Sequence, residues 1–185
     1  RESCTIADIH AYRPSKHSLS QSQILLRNYT ANEARLPMRE MVESLVLELL
    51  QIKAVTKCIH VHIGYAAEDV KSTGGSRTLA HYTDSFQELC PAVLALFDKY
   101  KRPHELIRRI AVSFEDLVNK AAVPTEMDLF SNALTDTAEQ EEHIQKTMLN
   151  IKGRFGKNAI LRASSLQEEG TMQFRNTLVG GHNGE

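Results

Sequence analysis

The chain has 185 residues, 42% hydrophobic and 24% charged, with a formal net charge of −1. That length suits one domain with a real core and an appended tail, and the charge argues against a uniformly basic nucleic-acid binder. No window approaches the roughly 18 apolar residues of a membrane span, and no signal peptide opens the chain. Cys4, Cys58 and Cys90 are too scattered for a disulfide framework and form no Cys-x-x-Cys pair, which fits a reducing cytoplasm. The first residue is Arg1 rather than Met, so the chain reads as a piece of a longer protein.

Residues 1–14 show no period and read as a linker. In residues 16–26, Ser18, Ser20 and Ser22 alternate with Leu19, Gln21 and Gln23, the pattern of a strand with one small polar face. Residues 27–35 are polar and turn-like. Residues 36–54 predict a helix with Pro37 in its first turn and an apolar stripe of Met38, Met41, Val42, Leu45, Val46, Leu49 and Ile52, leaving Glu40, Glu43 and Glu48 outside. Residues 57–65 alternate again, Ile59, Val61 and Ile63 against His60 and His62. A hairpin loop over 66–75 holds Gly74-Gly75, and a strand returns over 76–82. Ser85 and Glu88 have capping-box spacing before a helix with an inner face of Phe86, Leu89, Val93, Leu96, Phe97 and Tyr100. Pro91 sets its start later than the box alone suggests. Residues 106–114 close the set, with Ile110, Val112 and Phe114 on one face and Arg109 and Ser113 on the other.

The order strand, helix, strand, strand, helix, strand predicts an α+β fold, the split β-α-β (βαββαβ) arrangement. A four-stranded sheet carries two helices on one face, followed by a C-terminal helical and extended tail. The other sheet face is then bare, and the polar positions of the strands collect there: Ser18, Ser20, His60, His62, Arg77 or Thr78, Arg109 and Ser113. Beyond Val123 the segment Glu126-Met127-Asp128-Leu129-Phe130 lies in a loop within 124–134. A third helix over 137–153 carries Ile144, Met148, Ile151 and Phe155, within a C-terminal region 135–185 expected to be partly ordered without partners.

His60 and His62 could chelate, but no third ligand is implied nearby, so no metal site is expected. The glycine pair lacks a dinucleotide fingerprint and no nucleophile elbow occurs, so this stretch does not look catalytic. A sheet face with hydroxyls, imidazoles and arginines suits phosphate contact, because guanidinium forks phosphate oxygens and hydroxyls add neutral donors. An open face that docks another protein, as an adaptor module, is the alternative.

Residues 15–23, Ile63-Gly64-Tyr65, Gly75-Ser76-Arg77-Thr78 and Ile107-Arg108-Arg109-Ile110-Ala111-Val112-Ser113-Phe114 resemble the little-finger domain of Y-family translesion DNA polymerases. Residues 153–166, followed by Gly180-Gly181-His182, resemble the UmuC-type branch of Gram-positive bacteria. The resemblance implies a little-finger domain over 15–123 that grips both backbones of template-primer duplex beside a polymerase active site during lesion bypass, DNA repair and the SOS response. On the family pattern the contacts fall on Lys16, His17, Ser18 and Ser20, on Arg77 and Thr78, and on Arg108, Arg109 and Ser113. His17 stands where lysine is usual, Ser20 where glycine is, and Ser113 where some members carry arginine. A weaker, more pH-sensitive grip is therefore expected. Glu126, Met127, Asp128, Leu129 and Phe130 resemble the pentapeptide by which bacterial polymerases bind the sliding clamp, with Glu in place of Gln. The family's catalytic carboxylates and Mg²⁺ belong to a palm domain. No cofactor is therefore expected in this chain, and its partners would be duplex DNA, the clamp and the remainder of the polymerase in a bacterial cytoplasm, at the nucleoid.

Overall fold

A computed structural model describes residues 5–6, 18–123, 132–179 and 182–183. The sheet is built from β1 (Leu19–Tyr29), then after helix α1 (Ala31–Gln51) from β2 (Ala54–Tyr65) and β3 (Thr73–Thr83), and after helix α2 (Phe86–Tyr100) from β4 (Ile107–Glu115). All neighbouring strands run antiparallel in the order β1-β4-β2-β3. β1 and β2 are thus parallel to each other with β4 between them, the split β-α-β arrangement the sequence predicts. Both helices pack on one sheet face. Ile59, Val61, Ile63, Ile110, Val112 and Phe114 from the sheet meet Met38, Met41, Val42, Leu45, Leu49, Leu89, Val93 and Phe97 in one core cluster.

The element ends differ from the sequence reading for local reasons. Residues 27–35 are not a turn, because Thr30 caps α1. Its hydroxyl accepts from the Glu33 amide while the Glu33 carboxylate accepts from the Thr30 amide at 2.7 Å, a complete capping box. The helix therefore begins at Ala31, and Pro37 sits inside it rather than at its start. Arg27 pairs with Glu33 at 2.8 Å and, with the Thr30 bonds, holds that carboxyl at a pKa of about 2. At Ser85 only half of the box forms: its hydroxyl accepts from the Glu88 amide, whereas the Glu88 carboxylate bonds His81. Pro91 lies inside α2 without delaying its start. Gly74 and Gly75 lie in β3, not in the loop. A Cβ on Gly74 would meet the Val61 carbonyl oxygen at 2.2 Å, and one on Gly75 the Tyr100 ring at 2.4 Å. A short β5 (Val118–Asn119), absent from the sequence reading, adds to the start of β2.

The third helix, α3 (Asn132–Phe155), begins earlier than predicted and docks by polar groups together with only part of its apolar stripe. The Glu141 carboxylate accepts from the Ser85 hydroxyl at 2.6 Å and the Gln87 amide at 3.0 Å, so it sits on the N-terminus of α2, where a negative charge is favoured. Gln145 and Met148 are buried, and Ile144 and Phe155 are left exposed.

The tail folds back over α1. A 3₁₀ turn (Ala163–Leu166) leads to α4 (Met172–Arg175) and to a two-strand ladder of β6 (Leu178–Val179) with β7 (His182–Asn183). It covers Glu40 and Glu43, which the sequence leaves outside the apolar stripe but which are only 2% and 4% exposed. The Glu40 carboxylate accepts from the amides of Thr171 and Met172 at 2.9 and 2.8 Å and from the Thr171 hydroxyl at 3.1 Å. Arg162 bonds Glu43 at 2.5 Å and stacks over Phe86 at 4.3 Å, and Arg175 donates to the Ser44 hydroxyl at 2.8 Å. Residues 162–175 are thus pinned to the helix layer by buried polar bonds, where the sequence reading leaves the tail partly ordered.

Candidate nucleic-acid interface

Register places the polar strand positions in rows across the face opposite the helices. Ser20 pairs Ser113, Ser113 pairs His60 and His60 pairs Ser76, one row that spans all four strands. Beside it run Ser22, Ala111, His62 and Gly74, then Ile24, Arg109 and Gly64. No Asp or Glu stands in these rows. Ser20, Ser22, Ser76 and Arg109 are exposed, and Ser113, His60 and His62 are half-buried. His60 Nδ1 lies 3.0 Å from the Ser76 hydroxyl. Burial, then the charges of Arg109 and His60, push the His62 pKa down.

β4 is central, not an edge, and its entry decides where the two arginines point. Gly64 pairs Arg109 but Tyr65 pairs Ile107, so Arg108 is one residue extra on β4, a β-bulge. Strict alternation would send Arg108 to the helix side. The bulge resets the phase instead: Ile107 and Ile110 are both fully buried, Arg108 is half-buried and Arg109 exposed. Gly64 gives Arg109 room, since a Cβ there would stand 3.1 Å from the Arg109 Cβ.

The remaining predicted residues divide. Thr78 pairs Cys58 and continues the open face one row beyond His60, and Ser18 stands exposed just before β1. Arg77 pairs Ile59, so it belongs to the row of the helix side, although it is exposed at the sheet edge. Lys16, His17 and Glu126 to Phe130 lie outside the described residues. The sequence reading set Ser22 on the polar face of the first strand but left it, with Ser76, out of the set on the open face. It also missed an apolar member of the face, Ile24 in the row of Arg109, which is 66% exposed, with Leu26 further along β1 and Leu106 just before β4 also exposed at 52% and 44%. Extending the serine alternation of β1 by two residues would have found Ile24 on the face.

The helix side carries arginines too, but they are engaged. A cleft of about 740 Å³ between the helices is lined by Arg35, Arg39, Phe86, Ile144 and Arg162. There Arg35 pairs Asp98, Arg162 pairs Glu43, and Arg39 lies over Phe86. Among the described residues no three His, Cys, Asp or Glu cluster as metal ligands would, and no helix is long and apolar enough to cross a membrane.

The impB/mucB/samB family C-terminal domain matches residues 16–129. UvrX of Bacillus subtilis (strain 168) is 30% identical over 172 residues, covering 89% of this chain and 38% of the relative. DNA polymerase IV of Pelotomaculum thermopropionicum is 29% identical over 144 residues, 72% of this chain and 33% of the relative. The chain thus spans about a third of the length of these curated relatives. Among solved structures, the little finger domain of PolIV in complex with the β-clamp processivity factor aligns with a TM-score of 0.42 at 12% identity, over 63% of this chain and 99% of that one. A Dbh ternary complex aligns at 0.41 and 16% identity, over 53% of this chain and 28% of that one.

Proposed function

This chain belongs to the impB/mucB/samB family as the C-terminal domain of a Y-family polymerase, and on that footing we propose that its open sheet face holds template-primer duplex by the phosphate backbone during translesion synthesis. The observation that carries the reading is the face itself: four strands wide, clear of the described helices, with no Asp or Glu in the rows of His60, His62 and Arg109, hydroxyls across its middle and Arg108 and Arg109 at one end. Arginine supplies the charge, and Ser20, Ser113 and Ser76 supply neutral donors that fix orientation without reading bases. We assign nucleotidyl transfer and its Mg²⁺ to the polymerase core outside this chain, which leaves this chain a holding role in a cytoplasmic, nucleoid-associated enzyme. Glu126 to Phe130 we assign to the sliding clamp, with Leu129 and Phe130 as apolar anchors.

Two arginines neutralising two phosphates give a salt slope near −1.8, or about a tenfold loss of duplex affinity between 50 and 200 mM salt. Arg108→Ala with Arg109→Ala should flatten that slope and weaken binding equally on unrelated sequences. An unchanged slope refutes the assignment. The clamp assignment is tested separately by capture on immobilised clamp, which Leu129→Ala with Phe130→Ala should abolish.

A second reading is favoured by the exposed apolar residues on β1 and just before β4. Ile24, Leu26 and Leu106 would suit a docked protein, and an adaptor role predicts that Ile24→Ser with Leu26→Ser costs partner capture but not duplex binding.

A further inference from the structure

We propose that His60 and His62 are phosphate-contacting residues that take up protons when the open face binds a DNA backbone. This rests on the reading of that face as a duplex surface and adds to it two contacts that the family pattern does not assign. Both imidazoles project from β2, the strand that lies between β4 and β3. Their row neighbours are small: Ser113 and Ser76 flank His60, and Ala111 and Gly74 flank His62. The rings therefore stand at the middle of the face, between the serine rows of β1 and the hydroxyls of β3. A surface laid on the sheet meets them before it reaches the backbone.

The groups around them explain the proton. From β4 they are faced by Arg109 and Ser113, from β3 by Ser76 and Thr78, and from β1 by Ser20 and Ser22. By register the carboxylate in the adjacent row is Glu115, whose neighbour there is Cys58, with the sulfur 3.9 Å from its oxygen. Glu68 and Asp69 stand beyond Tyr65 in the loop to β3. Among the described residues no carboxylate in the rows of His60 and His62 pairs with either ring, and burial first, then Arg109 and the neighbouring imidazole, oppose charging of His62. An external phosphate set against the two rings favours their charged form, since it brings negative charge into rows that hold no carboxylate. A neutral ring can already accept from the Ser76 hydroxyl at Nδ1 and donate from Nε2 to an incoming oxygen, and the imidazolium donates from both nitrogens and adds a positive charge facing the phosphate. Nδ1 can keep Ser76 while Nε2 donates to phosphate. Charging both rings doubles the cations of the face, from Arg108 and Arg109 to four groups.

The test is duplex binding by the full chain, read by anisotropy of a labelled 20-base-pair DNA across salt at several pH values. At pH 8 the slope should be near −1.8, and at pH 5.5 near −3.6, so the loss from 50 to 200 mM salt grows from about tenfold to about 150-fold. At fixed salt, affinity should rise up to about tenfold per pH unit of acidification for each proton taken up, by reciprocity of proton and DNA binding. His60→Gln with His62→Gln should lose the pH dependence of both the affinity and the salt slope. A slope that ignores pH, or a variant that keeps the parent's pH response, overturns the proposal. The arginine reading survives either result if Arg108→Ala with Arg109→Ala still flattens the slope. Absence of any salt-dependent binding overturns both. The unaltered chain gives an independent readout: imidazole pKa values followed by NMR should rise on adding duplex, and unchanged values refute proton uptake.

Discussion

Replacing Glu40 by alanine should loosen the tail from the helix layer. Three donors converge on one oxygen of that carboxylate, the amides of Thr171 and Met172 and the Thr171 hydroxyl, at 2.8 to 3.1 Å. Thr171 and Met172 are 0% and 1% exposed, so water cannot replace the lost acceptor while the tail stays docked. Each stranded donor costs about 1–3 kcal/mol. The sum is not reached, because the tail can lift and hydrate its amides, which caps the loss at the free energy of docking. We expect about 3 kcal/mol for Glu40→Ala, a large share of the 5–15 kcal/mol typical of a domain. Glu40→Gln keeps a carbonyl oxygen facing the two amides and should cost about 1 kcal/mol. Urea denaturation gives the magnitudes, and hydrogen exchange at the Thr171 and Met172 amides locates them. If Glu40→Ala loses less than about 1 kcal/mol and both amides stay as protected as in the parent, the pinning role of this carboxylate is wrong.

The two glycines of β3 should respond unequally. Gly74→Ala drives a methyl group into a backbone oxygen and should cost about 2–3 kcal/mol, whereas Gly75→Ala meets a tyrosine ring that can swing aside and should cost less than about 1 kcal/mol by thermal melting. The capping box should show in acid. The Glu33 carboxyl is lowered from an ordinary 4.5 to about 2, so its stabilisation is full above 4.5 and lost as pH falls through 2. Glu33→Gln should therefore be less stable than the parent at pH 6, and denaturation curves of the two should converge near pH 2.

The sheet was legible because its two central strands each bury one face, and Ile110, Val112 and Phe114 or Ile59, Val61 and Ile63 announce that with period two. The bulge at Arg108 was not, since an extra residue on β4 is defined by its pairing with Gly64 and Tyr65, distant in sequence. The α1 start was misread because a polar run from Arg27 to Arg35 hides a Thr30 and Glu33 pair with capping spacing. Glu40 and Glu43 looked solvated because helical periodicity sees only the stripe toward the main core. The second covering of α1 comes from residues more than a hundred positions later. In the candidate site, alternation could name the face of Arg109, His60 and Ser113. It could not show that Ser20, Ser113, His60 and Ser76 share one row, since register follows from pairing and not from composition.

The most direct test of the central claim is to map duplex DNA onto the chain by backbone and side-chain NMR shift changes. The account predicts that a short duplex perturbs Ser20, Ser22, His60, His62, Ser76, Arg109 and Ser113 together, and leaves Arg35, Arg39 and Arg162 on the helix side unmoved. Perturbations centred on the helix-side cleft, with the serine and histidine rows silent, would contradict it.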